Sequence, residues 1–139
     1  MKTGKGQHKE VWVKVNAPVD EGVAPLVAAL SDFEGVCTAA SCQGHSPKGE
    51  ESQATVFFTY ARGNPSDANC WSPRLRREPA EFAMWLGNAL REAVSDDAEV
   101  TVSYSHNPPL LVLLVRRTAV EGVADVLRDL AKEPPKLAV

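Results

Sequence analysis

The sequence contains no apolar run long enough to cross a bilayer. Its longest, Leu110-Leu111-Val112-Leu113-Leu114-Val115, is fenced by Pro108-Pro109 and Arg116-Arg117, whereas a spanning helix needs about 20 apolar residues. The first ten residues are polar and lack the apolar stretch of a secretory signal. Cysteine is scarce: three residues, an odd number that closes no disulfide framework and suits a reducing compartment. A cytoplasmic location is therefore expected. Charge is nearly balanced at a net −3, which leaves no global pull towards nucleic acid or an anionic membrane. The signatures G-x-G-x-x-G, the P-loop, G-x-S-x-G and H-E-x-x-H are all missing, so the commonest nucleotide, serine-hydrolase and zinc-protease sites have no marker here. The identity of any cofactor is left open by the sequence.

What is present is ordinary globular composition: 139 residues, 44% hydrophobic and 24% charged. A chain of this length buries enough surface to fold without a disulfide or metal. One domain over residues 1–139 is expected, with flexible ends at 1–9 and 134–139.

Val11, Val13 and Val15 alternate with Trp12, Lys14 and Asn16, the period of a strand, which Pro18 ends. Asp20 is placed to cap a helix with Val23, Leu26, Val27, Leu30 and Phe33 on one face, Pro25 in its first turns and Gly35 closing it. A short strand over 36–40 leads into the loop 41–45, and residues 54–60 form a third strand rich in β-branched and aromatic side chains. A long connection over 62–78 follows. Pro79 then opens a second helix with Phe82, Trp85, Leu86, Ala89, Leu90, Ala93 and Val94 at helical spacing. Val100, Val102 and Tyr104 mark a fourth strand, and residues 110–115 a fifth that is apolar on both faces and so covered on both. Thr118 and Glu121 form a capping-box pattern for a last helix with Val123, Leu127 and Leu130 inward, stopped by Pro134-Pro135. The order β-α-β-β-α-β-β-α predicts an α+β fold: a ferredoxin-like two-layer sandwich (βαββαβ) with an appended strand and C-terminal helix.

The loop Ser41-Cys42-Gln43-Gly44-His45 joins a hydroxyl, a thiol, a glycine and an imidazole within five residues. With the first two strands parallel, it would lie at the end of the sheet that holds Asn16 and Asp20, beside a helix N-terminus that favours anions and lowers a thiol pKa. These seven residues are the ligand-binding candidates. In a chemical reading Cys42 is the nucleophile and His45 its base; the plainer reading is a tight turn with a small buried cysteine. Cys37, Cys42, His45 and Cys70 contain one close pair, Cys42-x-x-His45, where structural zinc sites bring two. No metal is therefore expected, and the lone His8 and His106 read as solvated. Trp71 with Arg74, Arg76 and Arg77 is a secondary candidate, since arginines grip phosphate or carboxylate and a tryptophan can stack on a base. The plainer alternative there is a solvated basic turn. Asp96, Asp97 and Glu99 read as a solvated turn at a helix end. On the outer sheet face Trp12, Lys14, Asn16, Thr55, Phe57, Thr59, Thr101 and Ser103 are expected together. With one lysine and no arginine that face suits a partner subunit, or cover by the last strand and helix, better than RNA.

The stretch Val15-Asn16-Ala17-Pro18-Val19-Asp20-Glu21-Gly22-Val23-Ala24-Pro25-Leu26-Val27, followed by Thr38-Ala39-Ala40-Ser41-Cys42-Gln43-Gly44-His45, resembles a family of small bacterial and phage proteins with a Ser-Cys-Gln-Gly-His loop. That resemblance spans about the first third of the chain and implies no activity. Thr38, Ser41, Cys42 and Gly44 are also similar to the Thr-Ser-Ser-Cys-Ser-Gly-Arg motif of the tRNA wybutosine-synthesis methyltransferase-like family, with His45 where that motif has arginine. It implies methyl transfer to a tRNA-linked acceptor through Cys42 and His45. From the residues themselves, the expected function is a domain that binds a small ligand or a protein partner near the loop 41–45. A homodimer is expected, without nucleic acid or membrane, and the enzyme is the alternative.

Overall fold

The computed structural model describes residues 10–12, 18–42, 53–61, 73–106 and 109–135. Within them the order is β1 (Glu10–Trp12), β2 (Pro18–Asp20), α1 (Ala24–Leu30), β3 (Val36–Cys42), β4 (Gln53–Tyr60), α2 (Pro73–Val94), β5 (Ala98–Ser103), β6 (Leu110–Arg116) and α3 (Val120–Ala131). Short 3₁₀ turns lead into α1 and α3 and join α2 to β5. The class is α+β, as expected: β3, β4, β6 and β5 form, in that order, an antiparallel sheet of four strands. Of the expected flexible ends, 1–9 and 136–139 lie outside the described residues, as do 13–17, 43–52 and 62–72.

Two expectations about the sheet are corrected. β1 does not belong to it; Glu10–Trp12 pairs with β2 as a separate antiparallel ribbon, so Pro18 begins a strand rather than ending one. The segment expected as an appended fifth strand is instead central, between β4 and β5. Its composition explains the place. A strand that is apolar on both faces is best shielded with a neighbour on each side, while Glu99, Thr101 and Ser103 tolerate the edge on β5.

Burial alternates strictly along β4 and β6. Ala54, Val56, Phe58, Tyr60, Leu111, Leu113 and Val115 face the core, where Leu26, Val27 and Leu30 of α1, Phe82, Leu86 and Leu90 of α2, and Val123 and Leu127 of α3 meet them. The helical faces read from spacing are thus the ones turned to the core, with Trp85, Ala89, Val94 and Leu130 half-buried and Ala93 exposed. An aromatic group fills one end: the Phe82 ring stacks on Tyr60 at 4.1 Å and meets Phe33 at 5.5 Å and Trp85 at 5.7 Å.

Helix ends follow sequence less closely. Asp20 is the last residue of β2 and not the cap of α1, whose N-cap is Val23 with no side-chain bond. A 3₁₀ turn over Glu21–Val23 comes between them. Gly35 does not close α1, which ends at Leu30; Gly35 instead turns the chain into β3 at φ 95°. The capping box at Thr118 does not form, because a 3₁₀ turn over Arg117–Ala119 absorbs that residue and Ala119 becomes the N-cap. α2 starts at Pro73, so Pro79 lies inside it. Both prolines have the fixed φ suited to a first turn, and the earlier one takes the position. Glu78, expected at the end of a solvated connection, is 1% exposed.

Ser95, just beyond α2, has φ 61°, a left-handed conformation that disfavours a side chain with a Cβ. Ser95→Gly is therefore expected to stabilise the fold by about 0.5–1 kcal/mol. The gain is read as a higher urea midpoint at unchanged slope.

Candidate functional site

β3 runs two residues further than sequence suggests, so Ser41 and Cys42 are strand residues and not the start of a loop. Cys42 still ends the strand and pairs with Thr55, while Ser41 pairs with the buried Val56. This register depends on an irregularity between Thr38 and Ala40. Thr38 pairs with Phe58 but Ala40 pairs with Phe57, which leaves Ala39 as an extra residue. Such a bulge moves every position beyond it by one. Without it, Cys42 would share the register of Val36 and Thr38; with it, Cys42 shares that of Thr55.

Of the other primary candidates, Asn16, Gln43, Gly44 and His45 lie outside the described residues. Asp20 pairs with Glu10 in the β1–β2 ribbon rather than standing at the head of α1. Ser41, Cys42 and Asp20 therefore belong to two different sheets. Because β1 is not parallel to β3 in one sheet, the reasoning that joined Asn16 to this loop loses its basis.

Among the secondary candidates Trp71 also lies outside the described residues. Arg74, Arg76 and Arg77 fall in the first turns of α2, where positive charge opposes the helix dipole. Arg77 is exposed and its Nε lies 3.6 Å from Oε2 of Glu81, one turn further on. The end of β4, from which the chain departs towards this helix, pairs with the start of β3 and so is remote from Cys42.

Among the described residues no group of three His, Cys, Asp or Glu could hold a metal. Cys37 is exposed; His45 and Cys70 of the cysteine–histidine set lie outside the described residues. His106 is exposed, its Nδ1 3.4 Å from the hydroxyls of Ser103 and Ser105. Asp96 and Asp97 make the expected exposed turn, 3.9 and 3.2 Å from the Arg116 guanidinium.

The feature that sequence reasoning placed only in part is the sheet face away from the helices. Thr55, Phe57 and Thr59 line it as expected, with Thr101 and Ser103 on β5. Its middle, however, is β6. Leu110, Val112 and Leu114 are half-buried there, in the place given to Trp12, Lys14 and Asn16. Phe57 pairs with Val112, and Val112 with Thr101. Thr55 pairs with Leu114, and Leu114 with Glu99. Apart from Cys37 and Cys42, the described ionisable groups of this face are Glu99 and Arg116, which share one corner with Asp97. The signal that could have found it is the apolar character of 110–115 on both faces, which marks a central strand.

None of the described helices is long and apolar enough to cross a membrane. No family model matches the chain, and neither does any curated protein or solved structure.

Proposed function

We propose that this chain works as a binding module whose contact surface is the face of the β3-β4-β6-β5 sheet away from the helices. One observation carries the reading: Phe57, Leu110, Val112 and Leu114 stand half-buried together in the middle of that face, with no charge among them. A sheet face meant for water alternates polar residues with the core-facing ones, and a contiguous apolar patch marks a contact surface. The strand order supports a ferredoxin-like reading in permuted form. β6 and α3 would stand for the first strand and helix of such a sandwich, taken from the start of the chain and joined to its end. That architecture keeps its helices on one face and leaves the other to a partner. The reading extends to a ligand at the Cys42 end, held by Ser41, Cys42, Gln43, Gly44 and His45, because Cys42 pairs with Thr55 in the row that includes Leu114.

The test is lysine on the face. If only solvent or a partner covers it, a lysine can run its stem along the surface and keep its charge in water. Phe57→Lys and Val112→Lys are then expected to keep the far-ultraviolet circular dichroism of the parent. In dilute solution they should unfold within about 1.5 kcal/mol of it, as surface changes do. A loss of about 3 kcal/mol or more would mean that the chain itself buries these side chains, which ends the binding reading.

A further inference from the structure

The occupant of this sheet face can be named on the same reading: we infer that it packs against the identical face of a second copy of this chain, as a two-fold dimer. Three properties of the face point to self-association.

The first is charge. The centre of the face offers nothing for an acidic or basic partner to recognise, since its described ionisable groups besides Cys37 and Cys42 lie at corners: Glu99 and Arg116 with Asp97 at one, and His106 beside Ser103 at another. Aligned sheets pack with their strands within about 30° of each other. A two-fold axis along the strands then carries the Glu99 and Arg116 corner over the Cys42 and Gln53 end of β3 and β4, and an axis across them carries it over Ser103 and Leu110. In neither arrangement do like charges meet, so the face is compatible with its own copy.

The second is shape. With the axis along the strands, between β4 and β6, each β4 lies over the β6 of the other copy. Phe57 then sits over Val112 and Thr55 over Leu114, because these are the paired positions of the two strands. At these two central positions a large residue meets a smaller one, which is what interdigitation of two inner faces requires.

The third is area. Four strands of six to eight residues, at about 3.3 Å per residue and about 4.8 Å apart, span a face about 20 Å on a side. That is roughly 400 Å² on each copy before side-chain relief, short of the about 600 Å² per partner of stable association and within the weak, transient class. The dimer is accordingly a dissociable one, with a Kd of roughly micromolar order.

Sedimentation velocity over a dilution series from about 200 to 1 μM tests this, bracketing the expected Kd. The parent is expected to move from the mass of two chains towards that of one. Phe57→Lys and Val112→Lys should weaken association about tenfold or more, as substitutions at the centre of an interface do. Glu121→Lys, on the exposed side of α3, should leave it unchanged. A parent that is monomeric at the highest concentration overturns the second copy as occupant. So does a dimer that both lysine variants leave intact, which would place association elsewhere, such as the β5 edge. If the parent is monomeric while the lysine variants keep their stability, the contact-surface reading stands and only the named occupant falls. If the lysine variants unfold, both readings fall together.

Discussion

Replacing Phe82 with alanine is expected to lower the free energy of unfolding by about 4 kcal/mol, within the range for removing a buried aromatic ring. Phe82 is fully buried and lies near four other rings: stacked on Tyr60, and tilted or edge-on to Phe33, Phe58 and Trp85. Besides Trp85 of α2 itself, these come from two elements, β4 and the turn after α1. The hole left by the ring cannot be filled by one neighbour without disturbing the others, so the cavity cost adds to the lost transfer energy. Domains of this kind hold about 5–15 kcal/mol in total, and the variant should be visibly destabilised at ambient temperature. Urea unfolding followed by circular dichroism measures the loss. Met84→Ala is the control, two residues along the same helix but 68% exposed, and should change stability by less than about 0.5 kcal/mol. A Phe82→Ala cost below about 1.5 kcal/mol would mean that this aromatic group does not organise the core.

What is legible in the sequence is what periodicity encodes. Spacing alone puts Val23, Leu26, Val27, Leu30 and Phe33 on one helical face, and all five are buried. Burial is a property of a face, and a face is visible in a single segment. Strand pairing is not. Residues 110–115 read as a strand covered on both sides, but nothing in the segment states which neighbours cover it. The alternation at Val11 and Val13 suggests a strand of the main sheet, because chain order points to a split βαβ unit; the ribbon with Pro18–Asp20 satisfies the same local pattern. Helix starts depart from sequence for a related reason. Asp20, Thr118 and Pro79 are each good first-turn residues, yet a 3₁₀ turn or an earlier proline displaces all three. Capping preferences of about 1 kcal/mol are too small to resist the packing of whole elements.

The candidate site shows the same division. Residue type singles out Cys42, and it does end a strand, at the sheet end opposite the one where β4 ends. Its register is not legible, because it depends on one extra residue at Ala39 that composition does not mark. Bulges add or remove a single step, and a period of two carries no record of where the step is taken. The three arginines are found by type as well. Their place at the positive end of α2 emerges only because the helix begins at Pro73. The middle of the outer sheet face is not legible either, because chain order offers residues 110–115 as a possible cover for that face where pairing makes them part of it.

Gly35→Ala should cost about 3 kcal/mol and lower the melting temperature by about 10 °C, two penalties acting at one position. Gly35 has φ 95°, outside the range that any side chain with a Cβ adopts easily. A Cβ there would also stand 2.6 Å from the Ala61 carbonyl oxygen and 3.1 Å from the Tyr60 ring. The carbonyl cannot turn aside cheaply, because the amide of Ala61 donates to the Gly35 carbonyl at 3.0 Å and ties the two backbones together. Movement of the Tyr60 ring would disturb its stack on Phe82. Gly122→Ala provides the opposite sign in the same assay. Gly122 is an exposed residue within α3, and a methyl group added there would meet nothing within 4 Å. The gain in helix propensity should therefore stabilise the fold by about 0.5–1 kcal/mol. Thermal unfolding of the two variants beside the parent decides the matter. A Gly35→Ala variant that melts with the parent would mean that the turn into β3 is free to rearrange, and that the close approach of Gly35 to Ala61 does not fix the start of the sheet.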